Sequence, residues 1–212
     1  MMEELDKLRK AVVEGDPDLA KVLAEKLLKA GFDPSKAIND GVVAGIHEAG
    51  ELWNKNVYFL PDVVMSAEAF KAAMAVLEKK RPAGSQKSIG KYLICTVEGD
   101  IHDLGKSIVV TMLQAAGFAV HDLGVDVPLK TVLSKVSEVK PDIVGFGAYM
   151  STTAATMKDY VAALKKAGYK GKIMIGGVRT SEEYAKQMGA DAWGRDGFDA
   201  AQKAKKLMGV RK

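Results

Sequence analysis

The chain is poor in cysteine, in net charge and in long apolar runs, and each shortage excludes a class of protein. Its one cysteine, Cys95, cannot form a disulfide within the chain, which favours a reducing compartment. No apolar stretch approaches the roughly 18 residues of a membrane span, and the charged, amphipathic start does not resemble a signal peptide. The 31 basic and 27 acidic residues leave a net charge of only +4, spread along predicted helices, so we expect neither a nucleic-acid nor a membrane partner. These features predict a cytoplasmic protein in which Cys95 is a buried core residue rather than a nucleophile.

The first part of the chain has the pattern of a small helical domain. The 212 residues, 48% of them hydrophobic, are enough to bury a core in one or two domains. Residues 1–80 carry helical periodicity throughout, and Asp16-Pro17 and Asp33-Pro34 each give a capping residue followed by proline at the first helical position. A third helix runs towards Trp53, and Leu60-Pro61 opens a fourth. Four helices joined by short loops predict a compact bundle.

The pattern changes after residues 81–90, a polar segment of small residues that we interpret as an interdomain linker. Over residues 91–212 short apolar runs alternate with helical stretches, which is typical of a parallel sheet with helices on both faces. The predicted fold class is therefore α/β: a four-helix bundle followed by a flavodoxin- or Rossmann-like, doubly wound, five-stranded parallel sheet. The expected strands are Tyr92–Thr96, Ala119–Leu123, Ile143–Phe146, Lys172–Ile175 and Ala190–Trp193, and the expected helices lie near 104–116, 128–138, 154–167, 180–188 and 198–208.

One predicted strand-to-helix loop, Asp100-Ile-His-Asp-Leu-Gly105, carries a histidine with a carboxylate two residues before it. Ligands of α/β folds bind outside the carboxyl ends of the strands, where such loops lie. A carboxylate beside an imidazole fixes its tautomer and leaves the other nitrogen free for a metal. The structural alternative is that Asp100 only caps the helix that begins near Leu104.

Two later loops at strand ends are rich in glycine. The third predicted strand leads into Gly145-Phe-Gly147-Ala-Tyr149-Met-Ser-Thr-Thr153, and the fourth leads into Gly176-Gly177. Glycines at these places let the backbone approach a flat or bulky ligand closely. Each loop alone is a weak signal, but their spacing is specific: 41 residues separate Gly105 from Gly147, and 26 separate Tyr149 from Gly176.

Taken together, these three blocks resemble the cobalamin-binding domain that holds its cofactor in the base-off, histidine-on mode. That family has Asp-x-His-x-x-Gly, then Ser-x-Leu, then Gly-Gly at about these separations. The first and third blocks match here, whereas Gly147 stands where serine is usual and Tyr149 where leucine is usual. Residues 50–69, which include Trp53 and Leu60, are similar to the helical cap that precedes such domains in methionine synthase and in small corrinoid proteins.

The resemblance implies a role for each part of the pattern. His102 would ligate cobalt from below, Asp100 would accept the other imidazole N–H, and Thr153 would bond Asp100 to complete a relay. The displaced nucleotide tail would enter a slot lined by Gly147, Tyr149 and the Gly176-Gly177 pair, and the helical cap would cover the methyl-bearing face. The implied metal ligand is His102, and the implied cofactor-binding residues are Trp53, Leu60, Asp100, Ile101, His102, Asp103, Gly105, Ile108, Gly147, Tyr149, Met150, Thr153, Gly176 and Gly177.

The function that this resemblance implies is that of a corrinoid methyl carrier, which would be non-catalytic alone. It would accept a methyl group on Co(I) from a substrate-specific methyltransferase. It would pass the group from methyl-Co(III) to a second methyltransferase that uses tetrahydrofolate, a related pterin or a thiol. A reductive activator protein would rescue oxidised cobalt, and the whole could be an O-demethylase, methylamine or methanol type of system.

Other classes of function stay open from the residues alone. A cobalamin-responsive sensor or regulator would normally add an output module, and a mutase cobalamin subunit usually lacks the helical cap. A flavodoxin-like receiver domain would need an acidic cluster after the first strand and a phosphoacceptor aspartate after the third, where this chain has Gly-Phe-Gly-Ala-Tyr.

Overall fold

A computed structural model describes residues 1–82 and 88–210, which divide into two compact units, Met1–Lys87 and Ser88–Lys212. Residues 83–87 of the predicted linker lie outside the described residues, so the domain boundaries 1–80, 81–90 and 91–212 stay a proposal. Within the described ranges no helix is both long enough and apolar enough to cross a membrane.

The first unit is helical, as its periodicity predicts. Asp16 and Asp33 act as caps: their carboxylates accept the backbone N–H groups of Leu19 and Ser35. The predicted third helix runs over residues 34–54 and contains one π-helical turn. The elements of the first unit are α1 (Met2–Val13), α2 (Pro17–Lys29), α3 (Pro34–Lys36), the π-helical segment Ala37–Val43, α4 (Ala44–Asn54), α5 (Leu60–Leu77) and the 3₁₀ turn Glu78–Lys80.

The second unit is a parallel sheet wound with helices on both sides, which confirms the predicted fold class. Its described part holds five strands in the order β2-β1-β3-β4-β5, so the direction of winding reverses between β1 and β3. Its elements are β1 (Lys91–Thr96), α6 (Leu104–Ala115), β2 (Ala119–Asp122), α7 (Leu129–Val139), β3 (Ile143–Gly147), α8 (Ser151–Lys166), β4 (Lys172–Gly176), α9 (Glu182–Met188), β5 (Ala192–Gly194) and α10 (Gly197–Leu207).

The two faces of the sheet differ in the size of their side chains. One face carries the large apolar residues of the core, such as Leu93, Phe146 and Ile175, which pack on α7, α8 and α9. The alternate residues of the same strands face α6 and α10. Near the carboxyl ends of β3, β4 and β5 these positions are Gly147, Gly176 and Gly194, which are paired in register.

Several element boundaries differ from the sequence prediction, most of them by one or two residues and the start of one helix by three. The helix expected from residue 154 begins at Ser151, so Thr153 lies in its first turn rather than in a loop. The strand expected over residues 190–193 is Ala192–Gly194. The early start of α8 has a non-local cause, because the acceptor for the N–H groups just before α8 is supplied by Asp100, from a different loop.

Candidate functional site

The loop between β1 and α6 lies at the reversal of the sheet and is fixed at several backbone atoms. The Thr96 hydroxyl donates to the carbonyl oxygen of His102 (3.1 Å). The Gly99 N–H donates to a carboxylate oxygen of Asp126 (2.7 Å), and the Asp100 N–H donates to the carbonyl of Val97 (3.1 Å). Gly99 has a φ of +81°, which suits glycine and turns the chain out of the strand. The histidine is thus carried on a tethered backbone.

Asp100 is fully buried and its carboxylate joins two loops. Oδ1 accepts the His102 backbone N–H (3.1 Å) and faces His102 Nδ1 (2.7 Å). Oδ2 accepts the Thr153 hydroxyl (2.6 Å) and the backbone N–H groups of Tyr149 (2.7 Å) and Met150 (3.3 Å). Burial by itself would raise the pKa of Asp100, but the donors from Thr153, Tyr149 and His102 outweigh burial and hold that pKa well below its usual range. Asp100 is therefore an ionised carboxylate.

This geometry decides how His102 presents its ring. An ionised carboxylate can only accept hydrogen bonds, so Nδ1 carries the hydrogen that faces Asp100. In the neutral imidazole Nε2 then keeps a free lone pair. The His102 side chain is 54% exposed, so a ligand from solution can reach it. The arrangement presents one oriented nitrogen donor at the carboxyl edge of the sheet.

The structural alternative for Asp100, a cap on α6, is not what its contacts describe. Its carboxylate bonds His102 and the residues at the start of α8, whereas the residue at the N-cap position of α6 is Asp103. The Asp103 carboxylate instead accepts the Ser107 hydroxyl and pairs with Lys106 (2.9 Å). Asp100 therefore serves the histidine and the neighbouring loop.

Lys106 is a residue of the site that the sequence reasoning missed. Its side chain is 2% exposed and its ammonium group pairs with the carboxylates of Asp103 and Asp122, the latter at the end of β2. The ion pair between Lys106 and Asp122 links the segment that follows His102 to the neighbouring strand β2. The sequence contains a lysine directly after Gly105 and an aspartate at the end of a predicted strand. The two residues are far apart in the sequence, and only the fold brings them into contact.

Tyr149 lies between β3 and α6, beside the histidine. A methyl group built on Gly105 would overlap the phenol ring of Tyr149, and one built on Gly147 would lie 3.6 Å from its Cε2. The ring centroids of Tyr149 and His102 are 5.7 Å apart and the ring planes are tilted by 35°. Burial raises the pKa of the Tyr149 phenol, so the ring is neutral. Gly105 and Gly147 thus leave the space that this ring fills.

The Gly176-Gly177 pair brings the loop after β4 close to the loop after β3. Gly177 has a φ of +119°, and a side chain there would overlap the carbonyl group of Ala148. Gly176 follows the register of Gly147 and Gly194, and the nearest atom to a methyl group built on it would be the Gly194 carbonyl oxygen, at 3.1 Å. The pair lets two backbones approach at the sheet edge.

Apolar side chains are exposed on the same loops. Ile101 is 75% exposed, Val178 is 77% exposed, and Leu104 and Met150 are also exposed. Ile108, by contrast, is buried in α6 at the position where Gly197 of α10 makes close contact. Ile101, Leu104 and Met150 add apolar surface to the loops that hold His102, whereas Ile108 belongs to the packing between α6 and α10.

Trp53 and Leu60 lie in the helical unit. Trp53 is half-buried near the end of α4, and Leu60 begins α5 and is 49% exposed. Val57 and Phe59, in the loop between these helices, are also exposed. This loop is apolar, and the covering role of Trp53 and Leu60 stays a prediction.

Comparison with known proteins identifies the family. The family described as the B12 binding domain matches residues 90–202, and a second family of the same description matches residues 4–78. The chain belongs to the B12-binding corrinoid proteins. Dimethylamine corrinoid protein 1 of Methanosarcina acetivorans is 42% identical over 209 residues, which cover 97% of this chain and 98% of that protein. A corrinoid protein of Desulfitobacterium hafniense (strain Y51) is 38% identical over 214 residues, covering 99% of each chain.

Solved structures agree with this family assignment. The corrinoid-protein fold resembles a chain of the methanol:cobalamin methyltransferase complex MtaBC from Methanosarcina barkeri, with a TM-score of 0.84 and 31% identity over 99% of this chain and 81% of that one. It also resembles a cobalamin-binding protein from Desulfitobacterium hafniense DCB-2, with a TM-score of 0.75 and 31% identity over 96% and 98% of the two chains. The sequence-based recognition of the family is therefore confirmed.

The residues of the site fit a corrinoid. A corrinoid supplies most of the ligands of its own cobalt, so one oriented protein nitrogen, such as His102 Nε2, would be a suitable further donor. The exposed apolar side chains beside it, Ile101 among them, suit the face of a large flat macrocycle. Gly147 and Gly176 leave room at the sheet edge that larger side chains would fill.

Proposed function

We propose that this corrinoid protein binds its cofactor base-off, with His102 as the axial ligand of cobalt. The observation that carries the proposal is the pairing of an exposed imidazole with a buried, ionised carboxylate 2.7 Å from its Nδ1. The carboxylate holds the tautomer that leaves Nε2 free, as second-shell carboxylates do for metal-bound histidines. The site residues named from the sequence are part of this proposal.

In this proposal Asp100 and Thr153 adjust how strongly the Nε2 lone pair of His102 would bind cobalt. The Asp100 carboxylate holds the Nδ1 hydrogen, and the Thr153 hydroxyl at 2.6 Å stabilises the negative charge of Asp100. A proton taken up at this relay would weaken the imidazole as a donor. The backbone donors of Tyr149 and Met150 keep Asp100 in place while this happens.

We further propose that the chain is a methyl carrier. Bound corrinoid supplies a cobalt that can accept and give up a methyl group, and the chain's residues hold and shield it. The proposal is supported by full-length similarity to proteins named dimethylamine and trimethylamine corrinoid proteins, and by the likeness to the methanol:cobalamin methyltransferase complex. Its partners would be a substrate-specific methyltransferase, a second methyltransferase that uses tetrahydrofolate, a related pterin or a thiol, and a reductive activator.

The proposed role of Trp53 and Leu60 is to shield the reactive upper face of the corrinoid. An apolar side chain such as the half-exposed Leu60 excludes water from a reactive centre and must move aside for each transfer.

The ligation proposal is tested with the whole chain reconstituted with cob(III)alamin. Wild type and His102→Ala are compared by absorbance, and the reduced Co(II) form by electron paramagnetic resonance with and without ¹⁵N-histidine labelling. We expect the label to change the nitrogen splitting in wild type and not in His102→Ala. If the nitrogen splitting of the wild type is the same with and without ¹⁵N-histidine, histidine ligation is contradicted. A wild-type chain that binds no corrinoid would contradict the proposal as a whole.

The carrier role is tested by using this chain in place of another corrinoid protein in a methyltransferase assay. The reconstituted chain replaces the corrinoid protein of a methylamine or methanol methyltransferase assay, and methylated thiol is measured. We expect product with wild type and a large loss with His102→Ala. Product formation that is independent of the added chain would contradict the role.

A further inference from the structure

We propose that Tyr149 is a specificity-determining residue, which selects among corrinoids by the size of the group on their lower face. The inference rests on the proposed binding mode, in which His102 replaces the cofactor's own lower base. It concerns which corrinoid the chain prefers, and not whether it binds one.

The space beside His102 is partly taken by the Tyr149 ring. The phenol lies directly against the backbone of Gly105 at the start of α6, and its Cε2 lies over Gly147 at the end of β3. It is also a neighbour of the imidazole, with ring centroids 5.7 Å apart. The ring therefore lies between the end of β3 and the start of α6, beside the histidine.

Below this ring the sheet carries hydrogen atoms instead of side chains. Gly147, Gly176 and Gly194 are in register across β3, β4 and β5, on the face that α6 and α10 cover. A methyl group built on Gly147 would make only ordinary contacts, at 3.6 Å or more, and one built on Gly176 would meet only a carbonyl oxygen, at 3.1 Å. Gly147 is therefore the position in this row with most room, whereas a methyl group built on Gly194 would lie 2.8 Å from the Cβ of Ala200 in α10.

A corrinoid with a nucleotide tail has to place that tail beside the axial ligand, since the tail hangs from the lower face of the ring. The space over Gly147 is adjacent to His102, and the Tyr149 ring lies over it. A bulky tail must displace the ring from its packing on Gly105, whereas a corrinoid with a small tail or none leaves the ring in place. Tyr149 therefore weakens the binding of corrinoids that carry a large group on their lower face.

The experiment measures dissociation constants for two probes, cobalamin and cobinamide, which lacks the nucleotide tail. They are titrated by calorimetry into the wild-type chain, Tyr149→Leu and Tyr149→Phe. The ratio of the cobalamin constant to the cobinamide constant is compared between variants. The cost of releasing cobalamin's own base is the same for every variant, so it cancels in this comparison.

We expect the ratio to fall by about tenfold in Tyr149→Leu, which corresponds to about 1.4 kcal/mol, because the ring no longer blocks the tail. Tyr149→Phe keeps the ring and loses only the hydroxyl, so its ratio should stay within about twofold of wild type, well under 1 kcal/mol. If Tyr149→Leu fails to fold in a urea titration, Tyr149→Met replaces it, since methionine is flexible and fills irregular space.

The outcomes separate this inference from the proposed function. If wild type binds both probes and the ratio does not change when the ring is removed, Tyr149 does not select and the inference is wrong. If wild type binds neither probe, the proposed function itself is wrong. A fall in the ratio with the Leu or Met variant, but not with Phe, supports selection by ring volume.

Discussion

Asp100→Asn tests whether the carboxylate fixes the histidine. The amide has one accepting oxygen and one donating NH₂ group. The backbone N–H groups of Tyr149 and Met150 need an acceptor, so the amide oxygen should face them and the NH₂ group should face His102. There it can donate to Nδ1 only if the imidazole hydrogen moves to Nε2. The substitution should therefore reverse the tautomer and remove the lone pair from the exposed nitrogen.

The cost to stability follows from the same contacts. Asp100 is fully buried, and the variant loses a charge-assisted contact to the imidazole and leaves the His102 backbone N–H against a donor. Hydrogen bonds to a charged group contribute about 1.5–3 kcal/mol each, and a buried group left unpaired costs a similar amount. We expect the free energy of unfolding of the second unit to fall by about 2–4 kcal/mol.

Two measurements check the prediction on the chain without cofactor. Imidazole ¹⁵N chemical shifts report the tautomer of His102, with His47 and His121 as internal references. Urea titrations followed by circular dichroism report the free energy of unfolding. An unchanged tautomer, or a loss of stability well under 1 kcal/mol, would show that Asp100 does not hold the ring in the way that its hydrogen bonds indicate.

The same residue gives a dependence on pH with a definite sign. The pKa of Asp100 is lowered in the folded chain from its ordinary value of 3.8, so the unfolded chain takes up a proton first as the pH falls. Its contribution is complete above about pH 4 and is lost progressively below it. The difference in stability between wild type and Asp100→Asn should therefore shrink between about pH 4 and pH 2. A difference that grows towards acid would refute this reasoning.

Two further predictions concern packing. Gly177→Ala should destabilise the second unit by at least about 2 kcal/mol in urea titrations, because the position has a φ of +119° and the new methyl group meets a backbone carbonyl. Gly168→Ala, with a φ of +80° and nothing within 4 Å, is the matched control and should cost about 1 kcal/mol; equal costs would contradict the clash. Burial raises the pKa of the Cys95 thiol to about 12, so iodoacetamide at pH 8 should modify it only after urea unfolds the chain, and rapid labelling of the folded chain would be the contrary result.

The sequence carries most of the fold because its two periodicities are local signals. The α/β half alternates apolar runs and helical stretches, and the structure has the five predicted strands in the described part of that half. The start of α8 was placed three residues late because the backbone directly before it, at Tyr149 and Met150, is held by Asp100, about 50 residues earlier in the chain. Local propensity contains no signal for a hydrogen-bond acceptor that comes from another loop.

The sequence predicts those contacts of the site that depend on the spacing of residues along the chain. It does not predict those that depend on packing between distant segments. The pair Asp100 and His102 is separated by one residue, so a contact between them follows from short-range geometry. Lys106 follows the motif closely, yet its burial depends on Asp122, at the end of another strand. By composition alone it is one of many lysines on a helix.

Tyr149 and Thr153 show how one carboxylate links two functions of the loop after β3. Asp100 accepts the Tyr149 N–H and the Thr153 hydroxyl, so the residue that orients His102 also fixes the backbone that carries the Tyr149 ring. A change at Asp100 should therefore alter corrinoid selection as well as ligation, whereas Tyr149→Leu should alter selection alone. Because the two effects have different origins, a double-variant cycle between these positions can separate them. A coupling energy near zero would mean that the Asp100 carboxylate and the Tyr149 ring act independently, although Asp100 accepts the Tyr149 N–H.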